Sequence, residues 1–260
     1  MRACIVKARP RSVLLDGYVA AVFEIQEAFQ YWNFFLDHPE DSRPLASYLE
    51  SDGITHPSIS PKNPVLLDYK VVTDRGSVVP AQTRRFLGTH RVPLSQKQTL
   101  PDGRKDYPLP RLRPPVFFKN VATDGLGISV DAALNGSALR DMADLDQVVE
   151  ITDKDFVVFE VDWPGYPIGK DFVVQQQFNL RAKHSRTTMR WAIECAVQVV
   201  DKFFTRYTGA PSSQDGWKLG YGNHSYVITR DKVLVIGLMH VTAGRWRPIL
   251  QLDGIHVPGH

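Results

Sequence analysis

Residues 224–252 read HSYVITRDKVLVIGLMHVTAGRWRPILQL, and this stretch decides the fold class. Val233 to Val241 is apolar on both alternating faces and rich in β-branched side chains. A run of that length without a polar face marks a strand covered on both sides. Ala243-Gly244 is a turn signal, and Arg245 to Leu252 follows as a further strand. Upstream, Trp217 to Tyr221 and His224 to Arg230 fit two more strands, with a turn near Asp231. The stretch therefore predicts an antiparallel meander.

Working outward from it, Thr187 to Tyr207 has helical spacing. Met189, Ala192, Ile193, Ala196, Val199, Val200, Phe203, Phe204 and Tyr207 form an apolar face. Arg190, Glu194, Gln198, Lys202 and Arg206 form a polar ridge, and Gly209 closes the helix. Asp171 to Leu180 alternates as a half-buried strand does, with Val174 and Phe178 on one side and Gln175, Gln177 and Asn179 on the other. Leu126–Val130, Val148–Thr152 and Phe156–Asp162 read as strands, Ser137–Leu145 as a short helix and 163–167 as a turn.

Towards the N-terminus, residues 12–38 predict a long helix. Leu15, Tyr18, Val22, Ile25, Phe29, Trp32 and Leu36 recur at spacings of three and four. So apolar a helix either packs in the core or forms a homodimer interface. Residues 65–80 suggest a hairpin turning at Asp74-Arg75-Gly76, and residues 80–120 are extended and proline-rich. A change of texture near residue 120 divides the chain into 1–120 and 121–260. The expected class is α+β: a curved antiparallel sheet with its C-terminal meander packed on the long amphipathic helix, joined by an N-terminal helix and a loop-rich Pro/Arg segment.

The 260 residues are 43% hydrophobic and 23% charged, which excludes a disordered chain. A net charge of +3 excludes a basic surface over the whole molecule. That total conceals two blocks. Residues 80–120 carry nine basic side chains against two acidic ones, and residues 131–162 carry nine acidic against two basic. The blocks can neutralise each other. Alternatively Arg84, Arg85, Arg104, Lys105, Arg111 and Arg113 form a site for nucleic acid or another polyanion.

Two cysteines, Cys4 and Cys195, match no disulfide or zinc framework and favour a reducing compartment, cytoplasm or nucleus. Arg2, Lys7, Arg9 and Arg11 leave mitochondrial targeting open. No apolar run is long enough for a transmembrane segment.

For chemistry, the strongest constellation is His224, Tyr226 and His240, with Asp253 nearby in sequence. A three-residue turn after Arg230 pairs Arg230 with Leu234 and sets His224 opposite His240. A two-residue turn, Asp231-Lys232, slips the register and sends the histidines to opposite faces. In the first case a small apolar ligand in a cup between sheet and helix meets an acid–base pair suited to an isomerase, cyclase or hydrolase. Cys195, in mid-helix, reads as a small buried hydrophobe. Gly220-Tyr221-Gly222 is not followed by a helix and so is no dinucleotide loop. No pattern calls for a metal or a cofactor.

Overall fold

A computed structural model describes residues 16–23, 28, 68–82, 98–99, 105–106, 113, 115–152, 155–167, 173–180, 187–222, 227–242 and 244–258. The first element is helix α1 (Tyr18–Phe23). Short strands follow: β1 (Gln98–Thr99), β2 (Lys105–Asp106), β3 (Val116–Phe117), β4 (Lys119–Asn120), β5 (Gly125–Leu126) and β6 (Ile128–Ser129). Helix α2 (Val130–Leu134) starts where Ser129 caps the Ala132 amide. Then come β7 (Phe156–Val161), β8 (Val174–Asn179), helix α3 (Met189–Tyr207), β9 (Val233–Thr242) and β10 (Arg245–Leu252).

The protein is mixed α+β with a mostly antiparallel sheet and one long helix. The main sheet runs β3-β9-β10-β7-β8, with β6 also on β9. Every pairing in it is antiparallel except β10–β7, which is parallel. β9 is central, as its apolar sequence requires. β10 lies on one edge, and β3 and β6 share the other.

Three layers result. On one face of the sheet, Val157, Phe159, Val161, Val235, Leu238, Trp246 and Leu250 pack with Ile193, Ala196, Val199, Val200 and Phe203 of α3. The ridge Arg190, Glu194, Gln198, Lys202 and Arg206 faces solvent. On the other face Leu234, Ile236, Met239, Val241 and Ile249 pack with Tyr18, Val22 and Phe23 of α1 and with Val78 and Ala81. Residues 77–79 bond directly to β10 and the segment after it: Val79 N–H donates to Leu250 O, Leu252 N–H to Ser77 O, and Ser77 N–H to Ile255 O. Tyr18 to Phe23, Ala28, Val78, Val79, Ala81, Phe117 and Phe118 thus belong to the same core as the sheet.

Several expectations need correction. Among the described residues, the C-terminal region forms one hairpin, β9–β10. Trp217 ends a short 3-10 turn, and Leu219 makes only an isolated parallel bridge with Ile228. Residues 230–232 are a 3-10 turn rather than a hairpin corner. Both edges of β9 are already paired, so residues 227–230 do not run beside it. The 74–76 turn is present, but its arms part. Lys70 bridges Gly17, and Val78 bridges Gln251. Within 137–145, only Leu139–Asp141 turns, as 3-10 helix. Of the predicted helix 12–38, the described residues 18–23 and 28 are helical, and of these all but Ala21 are buried. Phe29 and Trp32 lie outside the described residues.

The β9–β10 register shifts at two points, between Arg245 and Trp246 and between Ile249 and Leu250, and the second reverses the faces along β9. Ile249 partners Gly237, yet Leu250 partners Val235, so Ile236 is an extra residue, a β-bulge. Gly237 is required there. A Cβ on it would lie 2.3 Å from Val116 O on β3.

Candidate functional site

The bulge sets the face on which His240 lies. Before it, Leu234 and Ile236 face α1; after it, Leu238 faces α3, on the same side as His240. His240 is buried and stacked on Trp246, with ring centroids 4.6 Å apart and planes 6° apart. Its Nδ1 accepts the Arg113 N–H at 2.7 Å, which fixes the ring against the segment leading into β3. The register that would set His224 opposite His240 needs residues 224–230 on an edge of β9, and both edges are taken. His224 and Tyr226 themselves lie outside the described residues. Asp253 is exposed and sits 3.6 Å from Arg75 Nε.

The interior between sheet and α3 is filled. Trp163, Phe203, Phe204, Tyr166, Tyr207 and Trp217 interlock there at centroid separations of 4.7 to 6.2 Å. Two of these rings are anchored through polar tips: Trp163 Nε1 donates to Trp217 O, and Tyr166 Oη accepts the Leu219 N–H; in the same core Trp246 Nε1 donates to Ile151 O. The turn at 163–167 allows this, because Gly165 takes φ +81° and a Cβ there would strike Ser212 Oγ at 2.2 Å. Cys195 is buried in the same core, and desolvation first, then the Glu194 charge, raises its thiol far above the usual range. It is not a nucleophile.

A cleft opens instead at the C-terminal end of α3. Its volume is ≈ 320 Å³, and it is lined by Asp131, Phe204, Thr208, Gly220, Tyr221, Gly222, Thr229, Arg230 and Asp231. Four elements build it. The buried Phe204 ring and Thr208 come from the end of α3, Asp131 from the first turn of α2, residues 220–222 from the loop, and Thr229 to Asp231 from the 3-10 turn before β9. Tyr221 is 78% exposed, so its ring is available at the rim. Arg230 is engaged by Asp201 of α3. Asp231 has only Lys232, at 4.0 Å. The carbonyl end of a 19-residue helix adds negative potential. The chemistry on offer is an apolar floor, three hydroxyls, two carboxylates and one guanidinium, the last held by Asp201, which suits a small cation with an apolar body.

Sequence reading missed this cleft because its walls come from four separate places in the chain. Gly220-Tyr221-Gly222 is the wall that the sequence marks most visibly. Gly222, two residues before His224 in sequence, lines the cleft, whereas His240 is not among its lining residues.

A buried polar cluster on the α1 face was also missed. Arg247 Nη2 lies 3.1 Å from Asp162 Oδ2 and 3.5 Å from Glu160 Oε1, and Arg245 Nη1 lies 3.1 Å from Glu160 Oε2. Arg247 and Asp162 are both buried. The signal was present: Arg247 falls on an inward position of β10.

Of the basic block, Arg113 is described, and it pairs with Glu150 of the acidic block at 2.7 Å. Arg84, Arg85, Arg104 and Arg111 lie outside the described residues, as does the side chain of Lys105. Among the described residues no group of three metal-ligating side chains occurs, and no helix is long and apolar enough to cross a membrane. No family model, curated protein or solved structure matches this chain. Its function has to be read from this geometry.

Proposed function

We propose that this chain binds a small organic cation in the cleft at the C-terminal end of α3. The reading keeps small-molecule binding and moves it from the sheet–helix interior, which is packed with aromatic rings, to the open end of the helix. One observation carries it: a cavity of ≈ 320 Å³ with an apolar floor, Phe204, and carboxylates at Asp131 and Asp231. That size lies at the lower end of small-molecule sites, about 300–1,000 Å³. Tyr221 at the rim supplies a ring face for the cation. His224 and Tyr226 follow the cleft loop in sequence, so acid–base chemistry there rests on those two and not on His240.

Phenethylamine is a fitting probe, with an ammonium for the carboxylates and a ring for the floor. Binding should shift the amide resonances of Gly220, Gly222 and Thr229 in a two-dimensional nitrogen–proton spectrum. Asp131→Asn should weaken it about tenfold, the loss of one charge-assisted contact. Shifts that fall elsewhere, or an unchanged affinity in Asp131→Asn, would remove the reading. The polyanion reading loses support from the pairing of Arg113 with Glu150. The homodimer reading through residues 12–38 is not favoured by the buried state of Tyr18, Val22 and Phe23.

A further inference from the structure

β8 is the outermost strand of the sheet. Its inner edge pairs with β7 over six consecutive residues, from Val174↔Val161 to Asn179↔Phe156, without a bulge. Among the described residues, no strand pairs its outer edge. Proteins protect such edges with lysines, prolines, bulges or very short strands. The opposite edge of this sheet follows that rule, since β3 is only two residues long. β8 reads VQQQFN and carries none of these devices.

The two faces of β8 differ. Gln175, Gln177 and Asn179 are exposed on the open side. Val174 and Phe178 point towards α3, where Phe178 meets Trp191 at 5.9 Å and Phe159 at 5.4 Å. Each glutamine amide both donates and accepts, so the row is complementary to itself, although Gln175 Oε1 also accepts from Arg245 Nη1 of the same chain at 3.4 Å.

We infer that β8 pairs antiparallel with β8 of a second copy, about a two-fold axis at Gln176. Three registers keep the apolar side of each copy continuous with that of the other: those centred on Gln175, Gln176 and Gln177. Only the middle one sets Val174 opposite Phe178 of the partner subunit at both ends. It also sets Gln175 opposite Gln177 of the partner subunit on the open side. A slip of one residue reverses the faces and is excluded by the pleat. The contact closes the sheet into one continuous layer across two chains, an isologous interface. A six-residue edge spans roughly 20 Å. That alone falls short of the ~1,600 Å² of a standard interface, so the dimer should dissociate on dilution in the micromolar range.

The test is the mass of the full chain by light scattering across a dilution series around about 10 μM. Three proteins are compared: the unaltered chain, Gln175→Lys/Gln177→Lys and Gln175→Glu/Gln177→Lys. Both positions are exposed, and circular dichroism melting checks that each variant folds. The double-lysine variant sets like charges opposite each other at both ends of the contact and should be monomeric where the unaltered chain is dimeric. The charge-swapped variant sets opposite charges there and should be dimeric again. A monomeric unaltered chain at every concentration overturns the inference, and so does a double-lysine variant that stays dimeric. Loss of the dimer in both variants overturns the axis at Gln176.

Discussion

Replacing Arg247 by methionine tests the sheet's buried charges. The guanidinium is 6% exposed and the Asp162 carboxylate 4%, at 3.1 Å. Methionine keeps most of the stem and removes the charge. Asp162 then stays buried without its cation, whereas Glu160 keeps Arg245 at 3.1 Å. Breaking one side of such a pair costs about 3–5 kcal/mol. Asp162→Ala should cost less, about 2 kcal/mol, because Arg247 retains Glu160 at 3.5 Å. The double variant should be no worse than Arg247→Met alone, so the two changes couple by about 2 kcal/mol rather than add. Urea melts at pH 7 followed by tryptophan fluorescence measure this; Trp163, Trp217 and Trp246 are all fully buried reporters. Arg247→Met should lower the midpoint by about 1–2 M with an unchanged slope. A loss under about 1 kcal/mol, or strict additivity, would refute the reasoning, since it would mean that water or a neighbouring group solvates Asp162 as well as Arg247 does.

Gly237→Ala should cost about 2–3 kcal/mol, because its Cβ meets backbone, Val116 O, rather than a side chain that can swing away. Hydrogen exchange at Phe118, whose N–H bonds to Ile236 O, should speed up first. His240→Phe keeps the stack on Trp246 but leaves the Arg113 N–H without its imidazole acceptor, for about 1–3 kcal/mol; it should leave phenethylamine binding unchanged, and weaker binding would tie His240 to the cleft. Asp68 gives a pH signature. Burial, opposed by the N–H groups of Tyr69, Val19 and Tyr18 and reinforced by the Asp16 charge, pushes its carboxyl up to about 7. The folded chain then holds this proton more tightly than the unfolded chain does. The resulting stability is full below about pH 4 and is lost as pH rises through 7, by at most about 4 kcal/mol. Asp68→Asn should flatten melting temperature against pH over that window, and an unflattened profile would assign the dependence to another group.

What could be read from the sequence was whatever depends on local periodicity. The α3 ridge, the alternation of β8 and the doubly covered β9 all follow from spacing, and the structure places them accordingly. What could not be read depends on contacts distant in sequence. β10 lies beside β7 in parallel, although about eighty residues separate them, and no period records such a neighbour. The bulge at Ile236 is equally silent, and so is the need for glycine beside it, which comes from the carbonyl of Val116 on another strand. That one extra residue puts Ile236 and His240 on opposite faces, while the register that pairs Arg230 with Leu234 is closed because Leu234 already partners Gln251 and Ser129. The cleft escaped for the same reason, since Asp131, Phe204, Tyr221 and Asp231 converge only through the fold.

The charge layout has a structural use that net charge hides. The parallel ladder between β10 and β7 has only two partner pairs, Arg245↔Val158 and Trp246↔Phe159. Two such pairs are little to hold the β7–β8 hairpin onto the sheet. The side chains continue the seam where the backbone ladder stops. Extending the register by one places Arg247 level with Glu160, and the ion pairs run on from there to Asp162. Buried charges are poor sources of net stability but good at fixing one arrangement, because every alternative leaves a charge unpaired. A slip of β7 against β10 would separate Arg247 from both carboxylates at once. The same seam carries β8 to the outer edge, so the proposed pairing of two copies depends on it. If the ion pairs set the register, Arg247→Met should weaken the dimer as well as the fold, at denaturant concentrations where the monomer is still folded. If the dimer persists unchanged, the ladder and the apolar face against α3 position β8 without help from the charges.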